Sequence, residues 1–191
     1  MKRALSGALL ILGALSAQPT CNQCSATYVA ASEMEAYKQR AVANHIIDQQ
    51  VRAVDIGKAH VGIGMVYRGK LDKPQNASVA EHDQVSEVYH IIDGSATLVT
   101  GWDIQGAKPR PPDNEAVRLL NGPGNNAETI RNGATYNLKP GDVIVIPAGV
   151  GHWYTKIDDH ISYMMVRIDP DKVVPLKDEA ASKADLAKSG R

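Results

Sequence analysis

The chain has 191 residues, of which 43% are hydrophobic and 22% are charged, a composition typical of one globular domain that can bury a core. Its 21 basic residues balance its 21 acidic residues, so no excess of positive charge favours nucleic acid or an anionic membrane as a partner. We therefore do not expect the protein to bind nucleic acid.

The first segment, residues 1–17, predicts a secretory signal peptide. Lys2 and Arg3 precede an apolar run from Ala4 to Leu15, and the small residues Ser16 and Ala17 follow it. This order is typical of a signal that is cleaved after its last small residue. The run is shorter than the ~20 residues of a membrane-spanning helix, although an uncleaved anchor is the alternative. We expect a secreted or periplasmic protein without membrane association after cleavage.

Residues 18–45 predict a leader and an N-terminal helix. Cys21 and Cys24, the two cysteines of the chain, lie in the leader. Because no second pair of ligands follows them, we expect a local disulfide or no bond at all, rather than redox or metal chemistry. Further on, Ser32 is a candidate cap for a helix that begins at Glu33, because a serine hydroxyl accepts a hydrogen bond from a free backbone N–H.

The following segment, residues 46–170, is organised as short strands. Runs rich in Val, Ile, Met and Tyr at 50–55 and 60–68 predict an antiparallel pair. Gly62 and Gly64 inside the second run indicate either a bulge or a place where a side chain or ligand approaches the backbone. Asp93-Gly94, between two further strand-forming runs, predicts a hairpin turn. Many short strands without helices for a parallel sheet predict an all-β sandwich or barrel.

Two stretches lack this pattern. The long loop 101–133 contains four prolines, and a loop of this length is typical of a lid or a binding segment, with a surface excursion of no function as the alternative. The polar tail 171–191 is rich in Ala and Lys, and we expect it to form one weak helix or to stay disordered.

The chemistry-bearing residues lie in two of the predicted strands. Because successive side chains of a strand point to opposite faces, Glu87 and Tyr89 share one face and His90 takes the other. His152 and Tyr154 share a face for the same reason. If these faces point inward, imidazoles, a carboxylate and two phenols meet in one lumen, and the phenols are candidate proton donors.

The segments HDQVSEVYHIIDG (82–94) and GDVIVIPAGVGH (141–152) resemble the two signature motifs of the cupin family. The matching positions are His82, Glu87, Gly94, Gly141, Pro147, Gly149 and His152. The resemblance covers roughly residues 78–168. It implies an all-β, cupin-type double-stranded β-helix, or jelly-roll barrel, outside which the short N-terminal helix packs.

The resemblance also implies a divalent metal ion inside the barrel. Two imidazoles and a carboxylate are ligands that Mn, Fe, Ni and Zn accept, and the matching ligands are His82, Glu87 and His152. The family's remaining histidine falls on Ala80, so one usual ligand is missing, and His60 on a neighbouring strand is an alternative replacement.

Two functions from different classes follow. The first is an exported metalloenzyme that acts on a small molecule, with Tyr89 or Tyr154 moving a proton. The resemblance allows dioxygenases, isomerases and lyases, and the spacing of Glu87 and Tyr89 is also seen in cupin dimethylsulfoniopropionate lyases. The second is a metal-free module that binds a small ligand or dimerises, in which the same histidines and tyrosines are core residues. Because cupins often pair through an edge strand, a homodimer is the default expectation.

Overall fold

The computed structural model describes residues 25–188. The predicted signal peptide, together with Cys21 and Cys24, lies outside the described residues. Neither described helix is long and apolar enough to cross a membrane.

The N-terminal helix α1 spans Ala31–Asn44. It begins earlier than predicted, since Ala30 is the N-cap and its carbonyl accepts hydrogen bonds from the N–H groups of Glu33 and Met34. No side chain caps this end. The predicted cap at Ser32 is therefore wrong, because the backbone is already helical at that position. Tyr37 is fully buried and packs with Val51 and Met65 of the barrel.

The rest of the described chain forms thirteen strands and a second helix. The strands are β1 (Asp48–Asp55), β2 (His60–Arg68), β3 (Val79–His82), β4 (Ser86–Gly94), β5 (Ala96–Gly101), β6 (Ile104–Gln105), β7 (Lys108–Pro109), β8 (Gly124–Ala127), β9 (Thr129–Ile130), β10 (Ala134–Leu138), β11 (Val143–Ile146), β12 (Gly151–Lys156) and β13 (Ile161–Asp169). Helix α2 spans Glu179–Lys188.

The strands form two main antiparallel sheets whose inner faces share one core. The five-stranded sheet has the order β1-β2-β13-β4-β11, and the six-stranded sheet has the order β10-β5-β12-β3-β8-β7. Val66, Ile91 and Tyr163 of the first sheet pack with Leu98 and Tyr154 of the second in one buried cluster. Alternation of inward and outward side chains produces this arrangement. The predicted all-β barrel with an N-terminal helix is confirmed.

The turn at Asp93-Gly94 does not form the predicted hairpin. β4 pairs with β13 and β11, whereas β5 pairs with β12 and β10, so the chain passes from one sheet to the other here. Gly94 has φ of 75°, and a Cβ at this position would overlap the carbonyl oxygen of His160. The glycine is needed for a crossing corner rather than for a two-strand turn.

The segment 101–133 is largely structured. It contains β6 to β9 and a π-helical turn, Ala116–Asn121. β8 pairs with β3 and β7 pairs with β8, so this segment extends the six-stranded sheet. Residues 179–188 of the tail form α2, in which the Ser182 hydroxyl donates a hydrogen bond to the Val51 carbonyl oxygen of β1 and the Ser182 carbonyl accepts one from the Tyr37 hydroxyl at 3.1 Å.

Candidate metal centre

Three residues of the two motifs meet inside the barrel. His82 ends β3, Glu87 lies near the start of β4 and His152 lies in β12. All three are buried, and one ligand atom from each lies within 4.8 Å of the others. His82 Nε2 is 3.4 Å from one Glu87 carboxylate oxygen, and His152 Nε2 is 3.6 Å from the other. The carboxylate therefore stands between the two imidazoles.

The two predicted tyrosines take different positions. The Tyr89 hydroxyl donates a hydrogen bond of 2.6 Å to Glu87 Oε2, and Tyr89 is buried while His90 is exposed, as strand alternation predicts. Tyr154 is buried on the same strand as His152. Its hydroxyl, however, forms no hydrogen bond of acceptable geometry with any described residue, although the nearby Tyr163 hydroxyl contributes to raising its pKa.

Burial and charge set the protonation of this cluster. Burial opposes ionisation of Glu87, but His82, His152 and Arg167 outweigh it and hold the pKa of the carboxyl well below its usual range. Burial lowers the pKa of His152 to about 4, against the opposing effect of Glu87. Burial, reinforced by Glu87, raises the pKa of Tyr89 well above its usual value. At neutral pH the cluster holds a carboxylate, an uncharged His152 and a protonated phenol.

His152 has the tautomer that a metal ligand needs. Its Nδ1 lies 3.4 Å from the carbonyl oxygen of Val150, which can only accept a hydrogen bond. Nδ1 therefore carries the proton, and the lone pair of Nε2 points to the cluster.

His82 is surrounded by donors instead. Arg110 NH1 lies 3.3 Å from its Nδ1, and Asn121 Nδ2 lies 3.3 Å from its Nε2. The Asn121 amide is oriented because its Oδ1 accepts a 2.5 Å hydrogen bond from Arg167 Nε. A neutral imidazole has one acceptor nitrogen, so one of these two donors faces an N–H group.

Arg167 lies beside Glu87 and fixes the side chains next to the cluster, and the sequence did not predict this role. Its side chain is fully buried, donates to Gln50 Oε1 at 2.5 Å, pairs with Asp48 and lies 3.8 Å from Glu87 Oε1. A Cβ at Gly64 would lie 2.9 Å from Arg167 NH1. The side chain that approaches the backbone closely at Gly64 is thus that of Arg167. A charged residue within the apolar run of β13 was the sequence feature that could have indicated it.

Two cavities meet at His152. One of about 180 Å³ surrounds the His82–Glu87–His152 cluster, and Arg110 and Asn121 from the segment 101–133 line it. The second, of about 220 Å³, is lined by Arg68, Lys70 and Tyr154. Arg68, Ala80 and His152 line both cavities. The segment 101–133 therefore contributes to the site, as the binding-loop alternative expects.

Ala80 occupies the position of the missing histidine, opposite His152 in the pairing of β3 with β12. His60 does not replace it. His60 Nδ1 lies 2.9 Å from the Val174 carbonyl oxygen, and the ring lies near Asp55 and Asp169, at the end of β2 that pairs with the C-terminus of β13. The expectation of a substitute ligand at His60 is wrong, because the residue lies at the opposite end of its strand from Arg68, which lines the cavity.

The donor set fits a first-row divalent metal ion. Two imidazole nitrogens and an ionised carboxylate converge from three strands, and the cavities leave room for further ligands. Arg110 opposes this fit in one respect. A metal ion on His82 Nε2 requires a proton on Nδ1, and the neighbouring Arg110 guanidinium cannot accept a hydrogen bond from that N–H group.

Comparisons with known proteins agree with this architecture. The family model of the AraC-like ligand-binding domain, which has a cupin-type fold, matches residues 131–185, the part that contains β10 to β13 and the second motif. No curated protein sequence matches the chain.

Several solved structures are distantly similar. A protein from Bacillus halodurans is 13% identical over 85% of this chain and 98% of its own, with a TM-score of 0.45. A cupin protein from Bacteroides fragilis is 14% identical over 63% of this chain and 73% of its own, with a TM-score of 0.35. The DMSP lyase DddQ from Ruegeria pomeroyi is 15% identical over 63% of this chain and 48% of its own, with a TM-score of 0.36. This chain thus spans about half of that lyase.

The architecture and the family match both support a cupin-type fold. Two antiparallel sheets enclose one core, and the histidines and glutamate of both motifs meet between them. The family match covers the second of these motifs. The chain therefore has a cupin-type fold, and its residues 131–185 are similar to the AraC-like ligand-binding domain.

Proposed function

We propose that this cupin binds one divalent metal ion through His82, Glu87 and His152 and acts on a small molecule in the barrel. The observation that carries the proposal is the convergence of three buried ligand atoms within 4.8 Å of one another. Buried ionisable groups are rare without a partner or a function. The reaction belongs to the dioxygenase, isomerase or lyase classes that this fold accommodates.

The groups in the barrel would have different roles in such a reaction. An ion bound here would supply Lewis-acid polarisation of a substrate oxygen. Tyr89 keeps its hydroxyl proton, which it donates to Glu87 Oε2 in a 2.6 Å hydrogen bond, and this is the proton that it would transfer when a substrate occupies the cavity. Tyr154 presents a second phenol in the adjoining cavity. The walls of the barrel keep the cluster buried, which strengthens each of these polar interactions.

Metal analysis tests the proposal. Purified protein is incubated with Mn, Fe, Ni or Zn, freed of loose ions and analysed by elemental mass spectrometry. We expect about one ion per chain in the wild type and a loss of most of it in His82→Ala and His152→Ala, as removal of a ligand predicts. His90→Ala is the matched control, because His90 is exposed on the outer face of β4. Equal, substoichiometric metal in all four proteins would contradict the proposal.

A second function is a metal-free ligand-binding module. The observation that favours it is the pair of donors at His82, because Arg110 and Asn121 occupy both ring nitrogens. In that case chelator-treated protein binds its small-molecule ligand as tightly as untreated protein does.

We also propose that the chain is exported, with cleavage after Ala17. The support is the order of residues 1–17 in the sequence. Mass spectrometry of the N-terminus after expression in a bacterium with its secretion pathway intact checks this, and a chain that retains Met1 in the cytoplasm would contradict it.

A further inference from the structure

We propose that the cavity beside the metal centre is a carboxylate-binding subsite, in which Arg68 and Tyr154 hold the carboxylate group of a small substrate next to His152. This inference rests on the proposed function, since it names the substrate class of the same barrel. The subsite depends on Arg68 and Tyr154, which are not proposed metal ligands, so experiments can contradict the subsite and the metal centre separately.

The first argument is the charge of Arg68. The polar interactions of this half-buried side chain within residues 25–188 are both with tyrosines: its Nε donates to the Tyr163 hydroxyl at 3.4 Å, and its guanidinium lies 4.7 Å from the centre of the Tyr154 ring. No carboxylate of residues 25–188 pairs with it. A guanidinium is always charged and carries five donors in a planar fork, so most of its donors stay available.

The donors of the other two arginines around the cluster are occupied by oxygen acceptors. Arg167 pairs with Asp48 and lies close to Glu87. Arg110 is held by Asn126 Oδ1 and the Asn125 carbonyl oxygen, at 2.8 and 2.9 Å. Among these arginines, Arg68 is the one with neither a carboxylate partner nor an amide or carbonyl acceptor within residues 25–188, and a ligand with one negative charge would balance it.

The second argument is the hydroxyl of Tyr154. It is buried, lines the same cavity as Arg68 and makes no hydrogen bond within residues 25–188. A buried hydroxyl without a partner is destabilising, because it has lost its hydrogen bonds to water. A carboxylate oxygen in the cavity accepts this proton while its partner oxygen accepts from the guanidinium, so one planar ligand satisfies both groups.

The third argument is the passage between the two cavities. Arg68, Ala80 and His152 line both of them. Because position 80 carries only a methyl group, the space that a fourth ligand side chain would fill is left between the subsite and the metal centre. A molecule bound at Arg68 can extend past Ala80 to His152.

The size of the cavity favours a small ligand, and its charge favours a carboxylate over a phosphate. Its volume of about 220 Å³ is below the roughly 300–1,000 Å³ of pockets for drug-sized ligands. Its rim cation, Lys70, is exposed and paired with Asp72 at 3.1 Å. One unpaired guanidinium and one phenol match a monoanion better than a phosphate dianion.

Calorimetric titration of metal-free, chelator-treated protein tests the subsite. The probes are propionate, its uncharged analogue propionamide, and inorganic phosphate. We expect propionate to bind at least about tenfold more tightly than either of the others, as a charge-assisted hydrogen-bonded pair predicts. Equal binding of propionate and propionamide, or tighter binding of phosphate, would overturn the proposal.

Variants identify the residues. Arg68→Gln should weaken propionate binding at least about tenfold, and Tyr154→Phe about threefold or more. Arg68→Lys, which keeps the charge but loses the planar fork, should give an intermediate value. Arg131→Gln is the matched control, because Arg131 is exposed and paired with Asp103. Circular dichroism confirms that each variant is folded, and if Arg68→Gln does not fold, the Tyr154→Phe and Arg68→Lys series decides.

The metal content of the same variants separates the two ideas. Arg68→Gln should keep the wild-type metal content while it loses propionate binding. Propionate binding without any metal uptake would remove the metal proposal and keep the subsite. Propionate binding that requires metal and is unchanged in Arg68→Gln would remove the subsite and keep the metal centre.

Discussion

The surroundings of His82 fit neither a metal ligand nor a hydrogen-bonded core histidine completely. As a metal ligand through Nε2 it needs an acceptor at Nδ1, yet Arg110 presents a donor there at 3.3 Å. As a hydrogen-bonding core residue it can satisfy Arg110 with Nδ1 and Glu87 with Nε2–H, but then the Asn121 amide faces a second donor. The conflict at this residue decides how tightly the cluster holds an ion.

Replacement of Arg110 should therefore tighten metal binding. In Arg110→Gln the side-chain carbonyl can accept from His82 Nδ1–H, and a correct partner at this position is worth roughly 10–100-fold in metal affinity. We expect about a tenfold lower dissociation constant for Zn, measured by competition with a chromophoric chelator. Arg131→Gln serves as control, and an unchanged or higher dissociation constant in Arg110→Gln would show that Arg110 does not oppose the metal.

At the scale of elements, the site depends on how β2 and β13 fit together. Arg167 stands in the middle of β13, and its guanidinium lies against the backbone of β2 at Gly64. The glycine leaves the volume that the buried guanidinium fills. The hydrogen bonds of Arg167 to Gln50 and Asn121 in turn orient the amide that faces His82.

A methyl group at Gly64 should disturb this packing. In Gly64→Ala the new Cβ would meet Arg167 NH1 at 2.9 Å and the Gln49 carbonyl oxygen at 3.3 Å. We expect the free energy of unfolding to fall by about 1–3 kcal/mol, the usual cost of overpacking, as measured by urea denaturation.

Gly69→Ala is the control for this measurement. No atom lies within 4 Å of a Cβ built at Gly69, so its free energy of unfolding should change by less than about 0.5 kcal/mol. Equal stability of Gly64→Ala and wild type would mean that Arg167 moves without cost.

The predicted elements were right where they depend on local pattern. The alternation of side chains correctly put Glu87 and Tyr89 inside and His90 outside. The sequence at Asp93-Gly94 predicts a hairpin, and this prediction is wrong. Turn residues between two strand-forming runs indicate only that the chain bends, not which strands pair. Which strands then pair depends on contacts with β13 and β12, far along the chain.

At the scale of the whole molecule, His160 joins distant parts of the chain. Its Nε2 lies 3.2 Å from Asp93 and its Nδ1 lies 2.7 Å from Asp159, while Lys38 of α1 contacts the same Asp93 oxygen at 3.4 Å. The ring also stacks on Tyr67. The hydrogen bond to Asp159 raises the pKa of His160 above its usual value; burial opposes this shift, and the hydrogen bond to Asp93 adds to it.

This arrangement predicts a pH-dependent contribution to stability. Because the folded-state pKa is raised, the stabilisation is complete below the unfolded value of about 6.5 and is lost as pH rises through the folded-state pKa. The pair is partly exposed, so its contribution is at most about 1 kcal/mol. We expect wild type to exceed His160→Gln in free energy of unfolding at about pH 5.5–6 and the difference to shrink by about pH 8.5, as measured by urea denaturation. A difference that grows with pH would contradict the assignment.

The expected homodimer stays a prediction. The edge strand β11 exposes Val143 and Val145, each 61% accessible, as an edge that pairs with another chain would.

The class of fold and the three residues of the cluster could be predicted from sequence patterns and motif resemblance. Strand periodicity and the spacing of two motifs are local properties, and they were enough to predict a barrel in which His82, Glu87 and His152 meet. The side chains around these three residues could not be predicted, because they depend on tertiary packing. Arg68, Arg110 and Arg167 come from three separate segments, and no local pattern records that a cation on one strand will lie beside an imidazole on another. Such neighbours are chosen by the pairing order of the sheets and by the close packing of their inner faces.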